Sequence, residues 1–297
     1  MFTGTYTALV TPFRDGRVDE PALQQLVRQQ LQGGVDGLVP VGTTGESPTL
    51  DFDEHIRVIE CVVKAVDGRV PVITGAGGNA TREAVFLTQE AKRVGATATL
   101  QVAPYYNKPT PEGLYAHFRE IAAATRLPVI LYSIPGRCGV EITVETTRRL
   151  AADCPTIVGI KEAGGNADRV SRLRSACGRK FSILSGDDGL TLPFMSVGAH
   201  GVVSVASNVA PRAVAAMVRA FAAGDVRGAL RLHERLYPLF RVLFIETNPG
   251  PVKAALALLG LVAEEYRLPL CPLQPANRET LAATLRQCGL LRGRGRS

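Results

Sequence analysis

Short apolar runs alternating with amphipathic stretches constrain this 297-residue chain more than any other feature. The runs fall at 6–10, 37–41, 71–74, 97–102, 129–132, 157–161, 181–185 and 201–205. Between and after them, helical periodicity covers 20–31, 52–66, 81–94, 111–124, 144–152, 167–176, 190–197 and 211–222. Asp51 before one stretch, Pro111 and Pro211 in first turns, and Gly33, Gly95 and Gly224 at or past the ends supply start and stop signals. Eight strand-then-helix units in succession read as an α/β chain, a parallel (β/α)8 TIM barrel rather than an open sheet. Strand signals stop near Gly224, which places the barrel at 1–224 and a C-terminal helical region at 225–291, with a proline-broken segment from Pro269 to Pro275. The Gly/Arg run 292–297 reads as a disordered tail.

Composition narrows the function. With 46% hydrophobic and 21% charged residues and no apolar run near the roughly 20 residues of a bilayer span, an ordinary globular protein is expected. Residues 1–14 lack the basic-then-apolar layout of a signal peptide, so a cytoplasmic location is expected, with no membrane partner. Three of the charges behind the net +7 are Arg292, Arg294 and Arg296, and the remaining +4 is spread along helices among acids. That pattern is a solvated face rather than a nucleic-acid surface. The six cysteines form no CxxC pair and the four histidines show no ligand spacing, so neither a disulfide framework nor a metal site is expected. Gly75-Ala76-Gly77-Gly78-Asn79-Ala80 formally fits a dinucleotide fingerprint, yet the next strand ends in Ala103-Pro104 with no acid to hold a ribose.

Active sites of such barrels sit at the C-terminal strand ends. Lys161 closes the apolar run from Ile157 to Ile160. Desolvation there would lower its pKa and leave a neutral amine able to attack a carbonyl; alternatively the side chain snorkels to water or pairs with Glu162. Tyr132 ends the preceding strand and projects into the same mouth, as a proton-transfer group or as a rim aromatic. Arg137 offers a fork for a carboxylate, or is an idle surface arginine. Gly42-Thr43-Thr44-Gly45-Glu46 sets two hydroxyls in a glycine-flanked turn, either an acid-binding loop or a capped βα turn. Asp187 and Asp188 read as dipole complementarity at a helix start.

These segments, with Met1-Phe2-Thr3-Gly4, Thr11-Pro12-Phe13, Pro104-Tyr105-Tyr106-Asn107, Pro135-Gly136-Arg137, Gly159-Ile160-Lys161-Glu162, Leu184-Ser185-Gly186-Asp187-Asp188 and Asn248-Pro249, closely resemble the dihydrodipicolinate synthase family of pyruvate aldolases. The resemblance runs in register to about Leu291. It implies that pyruvate forms an imine with Lys161, that the derived enamine adds to aspartate semialdehyde, and that ring closure releases 4-hydroxy-tetrahydrodipicolinate, with no cofactor beyond the imine. It further implies a proton relay of Tyr132, Thr43 and the Tyr106 of a neighbouring subunit, hence a homotetramer built as a dimer of dimers. Thr44 would bind the pyruvate carboxylate with Thr43, Arg137 would hold the semialdehyde carboxylate, and Gly186 and Val203 would line the pocket through their backbone. Arg137 separates this reading from sister aldolases acting on N-acetylneuraminate, keto-deoxy sugar acids or hydroxy-oxoglutarate, and a non-catalytic acid-binding barrel is the remaining alternative. Ser133 and Cys138 stand where the family commonly has asparagine and threonine. In members inhibited by lysine, the effector is held at positions matching Ser47, His55, Asn79, Glu83 and Tyr105.

Overall fold

A computed structural model describes residues 1–291; the tail expected at 292–297 lies outside the described residues. Eight parallel strands are present, β1 (Gly4–Ala8), β2 (Gly37–Val39), β3 (Ile73–Gly75), β4 (Ala98–Val102), β5 (Val129–Ser133), β6 (Ile157–Glu162), β7 (Ser182–Ser185) and β8 (Gly201–Ser204). Their hydrogen-bonded order is β2-β1-β8-β7-β6-β5-β4-β3, and a parallel bridge between Leu38 and Val72 joins the two ends into a barrel. The strands read as continuous apolar runs because both faces are covered. All five residues of β5 are buried.

The outer helices are α1 (Glu20–Gly33), α2 (Phe52–Val66), α3 (Thr81–Arg93), α4 (Pro111–Ala124), α5 (Val144–Asp153), α6 (Ala167–Cys177), α7 (Thr191–Ser196) and α8 (Pro211–Ala222). The bounds expected for α2, α4 and α8 coincide with those observed, because each begins on a strong signal. Asp51 and Glu54 form a reciprocal capping box at α2, and Pro111 and Pro211 occupy first-turn positions. On α2 the buried His55, Val58, Ile59, Val62 and Val66 repeat at helical spacing, which seats one face on the barrel.

Beyond Gly224 follow α9 (Val226–Val242), α10 (Gly250–Leu258) and α11 (Pro275–Gln287), the last two separated by the proline-containing segment. Leu236, Leu239, Phe240, Val252 and Leu256 join one apolar cluster with Leu9, Val39 and Val203 of the barrel. Periodicity does not reveal a two-stranded hairpin, Phe13–Arg14 with Arg17–Val18, whose strands are too short to show alternation. Its turn residues Asp15 and Gly16 both have positive φ, the conformation that an Asp-Gly hairpin favours. The hairpin buries Phe13, whose ring lies 4.2 Å from Lys253 Nζ and 4.3 Å from the Arg267 guanidinium carbon, so the C-terminal region packs directly on it.

Candidate active site

Strand register brings two of the expected groups together. Tyr132 on β5 pairs with Lys161 on β6, after an irregularity at Val129/Ile130 that brings Gly159 opposite Ile130. Lys161 Nζ lies 4.0 Å from the Tyr132 ring centroid. Burial pushes the Lys161 amine down to about 7, the negative charge of Asp188 resists that fall, and the positive Arg137 reinforces it. Glu162, which follows Lys161 on the strand, is fully buried and ion-paired with Arg169 at 2.8 Å. The partner that would have kept Lys161 an ordinary ammonium is therefore engaged elsewhere.

The turn after β2 supplies the hydroxyls. Val41 takes a positive φ of 49°, an unfavourable conformation for a β-branched residue, and Gly45 N donates to the Gly42 carbonyl at 3.0 Å. Only glycine fits at 75, where a Cβ would stand 2.2 Å from the Val41 oxygen. Thr43 shares the cavity wall with Tyr132, whose phenol burial holds far above its usual range, against the opposing effects of Arg137 and Thr43. Tyr132 thus remains a protonated phenol rather than a phenolate. Thr44 is buried, and its Oγ1 accepts from Asn248 Nδ2 at 3.1 Å.

Arg137 sits on a single helical turn, Pro135–Cys138, and its Nη2 donates to the Asn248 carbonyl at 3.2 Å. Ser133 Oγ accepts from Ile142 N at 3.3 Å and so ties the far end of this loop to β5. Thr43, Tyr132, Arg137 and Cys138 line one cavity of about 400 Å³. At the end of β7, Gly186 N donates to the Glu162 carbonyl at 2.8 Å; a Cβ there would lie 2.6 Å from that of Ala163 and 3.1 Å from Lys161 Cε. Glycine is what lets the lysine stem pass. Val203 is buried on β8 opposite Tyr6.

Known proteins resemble this chain over nearly its whole length. The model of the dihydrodipicolinate synthetase family matches residues 1–288. The chain belongs to that family. A 4-hydroxy-tetrahydrodipicolinate synthase from Pelobacter propionicus is 54% identical over 291 residues, covering 98% of this chain and 100% of the relative. The solved 4-hydroxy-tetrahydrodipicolinate synthase of Methylacidiphilum fumariolicum superposes with a TM-score of 0.96 at 55% identity, covering 97% of this chain and 96% of that one. The dihydrodipicolinate synthase of Cyanidioschyzon merolae, solved with lysine bound, gives 0.95 at 44% identity, covering 98% and 99%.

Not every position to which the dihydrodipicolinate synthase resemblance assigns a role converges in the single chain. Tyr106 has a φ of 70° and is 90% exposed, and it does not line the cavity, whereas the adjacent Tyr105 does. Ser47, His55 and Glu83 line the cavity as well, so four of the five expected effector residues share it with Thr43 and Tyr132. His55 Nε2 lies 2.8 Å from the Gly75 carbonyl. Asn79 is not on the wall but donates to the Tyr105 carbonyl at 3.4 Å.

The acidic pair behaves differently from the expectation of a shared helix-start role. Asp187 does face the start of α7, accepting from Gly189 N and Leu190 N, but Asp188 turns inward and accepts from Ser204 Oγ, Val205 N and Ala206 N. Burial lifts its carboxyl to about 6, which those hydrogen bonds counteract. Its effect on Lys161 follows from the neighbouring ends of β7 and β8, a proximity that no local sequence signal carries. Asn248 is the other residue that sequence reasoning left without a role, although it belongs to a quoted motif.

Proposed function

We propose that this chain catalyses the 4-hydroxy-tetrahydrodipicolinate synthase reaction, condensing pyruvate with L-aspartate 4-semialdehyde. The observation that carries the proposal is the desolvated amine of Lys161 against Tyr132, which shares a cavity wall with Thr43. A neutral amine attacks the pyruvate carbonyl carbon, water leaves with a proton relayed through Tyr132, and the imine loses a methyl proton to become an enamine. The enamine carbon bonds to the aldehyde carbon, whose oxygen takes up a proton to become a hydroxyl as the imine to Lys161 re-forms. The substrate amine then attacks the imine carbon and expels Lys161, closing the ring and restoring the free amine. The imine performs the electron-sink role, so no separate cofactor is required.

Thr43 and Thr44 hold the pyruvate carboxylate in this reading, and Arg137 holds that of the semialdehyde. Gly186 and Val203 shape the floor, the former by its missing Cβ. Tyr106 completes the relay of a neighbouring subunit, a role that its exposure in the single chain favours. We therefore assign a cytoplasmic homotetramer, a dimer of dimers, in which residues 1–224 form the catalytic barrel and 225–291 a bracing helical region. A pyruvate–semialdehyde assay on the parent and on Arg137→Ala tests the activity. The arginine variant should lose semialdehyde turnover far more than imine formation with pyruvate. Equal loss of both, or a parent more active on a keto-deoxy sugar acid, would overturn the assignment, and light scattering that gave a monomer would overturn the assembly.

A further inference from the structure

Asn248 lies between α9 and α10, remote in sequence from every barrel strand, and is 5% exposed. Its side-chain Nδ2 donates to Thr44 Oγ1 at 3.1 Å, and its own carbonyl accepts from Arg137 Nη2 at 3.2 Å. One residue thus touches both groups that the proposed condensation uses as carboxylate clamps. The direction of the first bond matters. A hydroxyl oxygen that accepts from an amide keeps its own hydrogen free to donate elsewhere. Asn248 Oδ1 is buried with no partner among the described residues. With the amide as placed, Thr44 accepts one of its N–H groups, whereas flipping it would leave both N–H groups without an acceptor.

The segment bearing Asn248 is itself pinned. Five residues on, Lys253 of α10 forms an ion pair with Glu46, and both side chains are fully buried. Glu46 stands two residues past Thr44, so the C-terminal segment grips the threonine turn at two points.

We propose that Asn248 is a positioning residue of the condensation: it frees the Thr44 hydroxyl hydrogen for the pyruvate carboxylate and, through its carbonyl, fastens that clamp to Arg137. The inference rests on the function proposed above. Asn248→Ala removes the donor, and Asn248→Asp keeps the shape but accepts from Thr44 where the amide donated, drawing the hydroxyl hydrogen away from the substrate. Steady-state kinetics, borohydride trapping of the pyruvate adduct and thermal unfolding should be measured on both variants.

The alanine variant should raise the pyruvate KM roughly three- to tenfold, the effect of one lost neutral hydrogen bond, with kcat within about twofold. The aspartate variant should raise it by roughly a further tenfold or more, since an acceptor with a negative charge replaces a donor. In a Thr44→Val background, Asn248→Ala should leave the pyruvate KM unchanged. An unaltered KM in either single variant, or additive losses in the double variant, would overturn the proposal. Should Asn248→Ala fail to fold, the near-isosteric aspartate variant carries the same criterion. A parent that forms the pyruvate adduct but does not consume the semialdehyde would overturn the proposed function alone, because adduct affinity still reports on the bond between Asn248 and Thr44.

Discussion

If burial holds the Lys161 amine at about 7 instead of 10.5, pyruvate attachment must stop accelerating far below the pH at which an ordinary lysine loses its proton. At pH 7 half of such an amine is neutral, against about one part in 3,000 for an unperturbed one, a gain on the order of 10³ in reactive nucleophile. The sign is unambiguous: the neutral form attacks, so the rate climbs with pH through about 7 and is flat above about 8. Tyr132, held far above its usual range, adds no falling limb below pH 10.

The assay is the initial rate of borohydride-trapped adduct at subsaturating pyruvate from pH 5 to 10, with mass spectrometry placing the adduct on Lys161. A rate still rising tenfold per pH unit at pH 9 would refute the desolvation argument. Stability offers an independent reading. The unfolded chain binds the Lys161 proton between about pH 7 and 10.5 and the folded chain does not, so this site's contribution to stability rises with pH across that window and is poorest at or below pH 7. Lys161→Met should therefore stabilise the fold at pH 7 by up to roughly 4 kcal/mol, less the lost contact with the Tyr132 ring.

Other perturbations have equally definite outcomes. Tyr132→Phe should retain pyruvate adduct formation at equilibrium while turnover falls by on the order of 10²- to 10⁴-fold, the usual effect of a lost acid–base group; a full-speed variant would exclude the relay. Asp188→Asn removes the charge that raises the amine's pKa, so the midpoint of the pH–rate profile should move below that of the parent, as the same trapping series would reveal. Lys253→Met leaves Glu46 buried without its partner and should lower the unfolding free energy by about 3–5 kcal/mol in urea titrations. For regulation, the expected effector site predicts that millimolar L-lysine lowers the initial rate of the parent and that Glu83→Ala relieves it; no inhibition, or inhibition indifferent to Glu83→Ala, would remove that site.

Much of the architecture was legible locally. Burial on both faces makes each barrel strand a short apolar run, and caps and first-turn prolines act within a few residues, so α2, α4 and α8 could be bounded from the sequence. The places of Lys161 and Tyr132 near the ends of adjacent strands were likewise legible, and such ends are where a barrel of this kind presents polar groups. The resemblance to dihydrodipicolinate synthases then supplied roles that spacing alone left open for Thr43, Thr44 and Arg137.

Tertiary structure decided what depends on neighbours distant in the chain. Glu162 follows Lys161 directly, yet it pairs with Arg169, which leaves the amine to desolvation. Asp188 resembled helix-start decoration until the ends of β7 and β8 brought it to Ser204, Val205 and Ala206. Asn248 reaches Thr44 across 204 residues of chain. Hydrophobic period and capping are properties of a dozen neighbouring residues, and the sequence carries them openly. A pKa or a hydrogen bond depends on which groups the closed barrel places within a few ångströms, and that proximity exists only once the chain has folded.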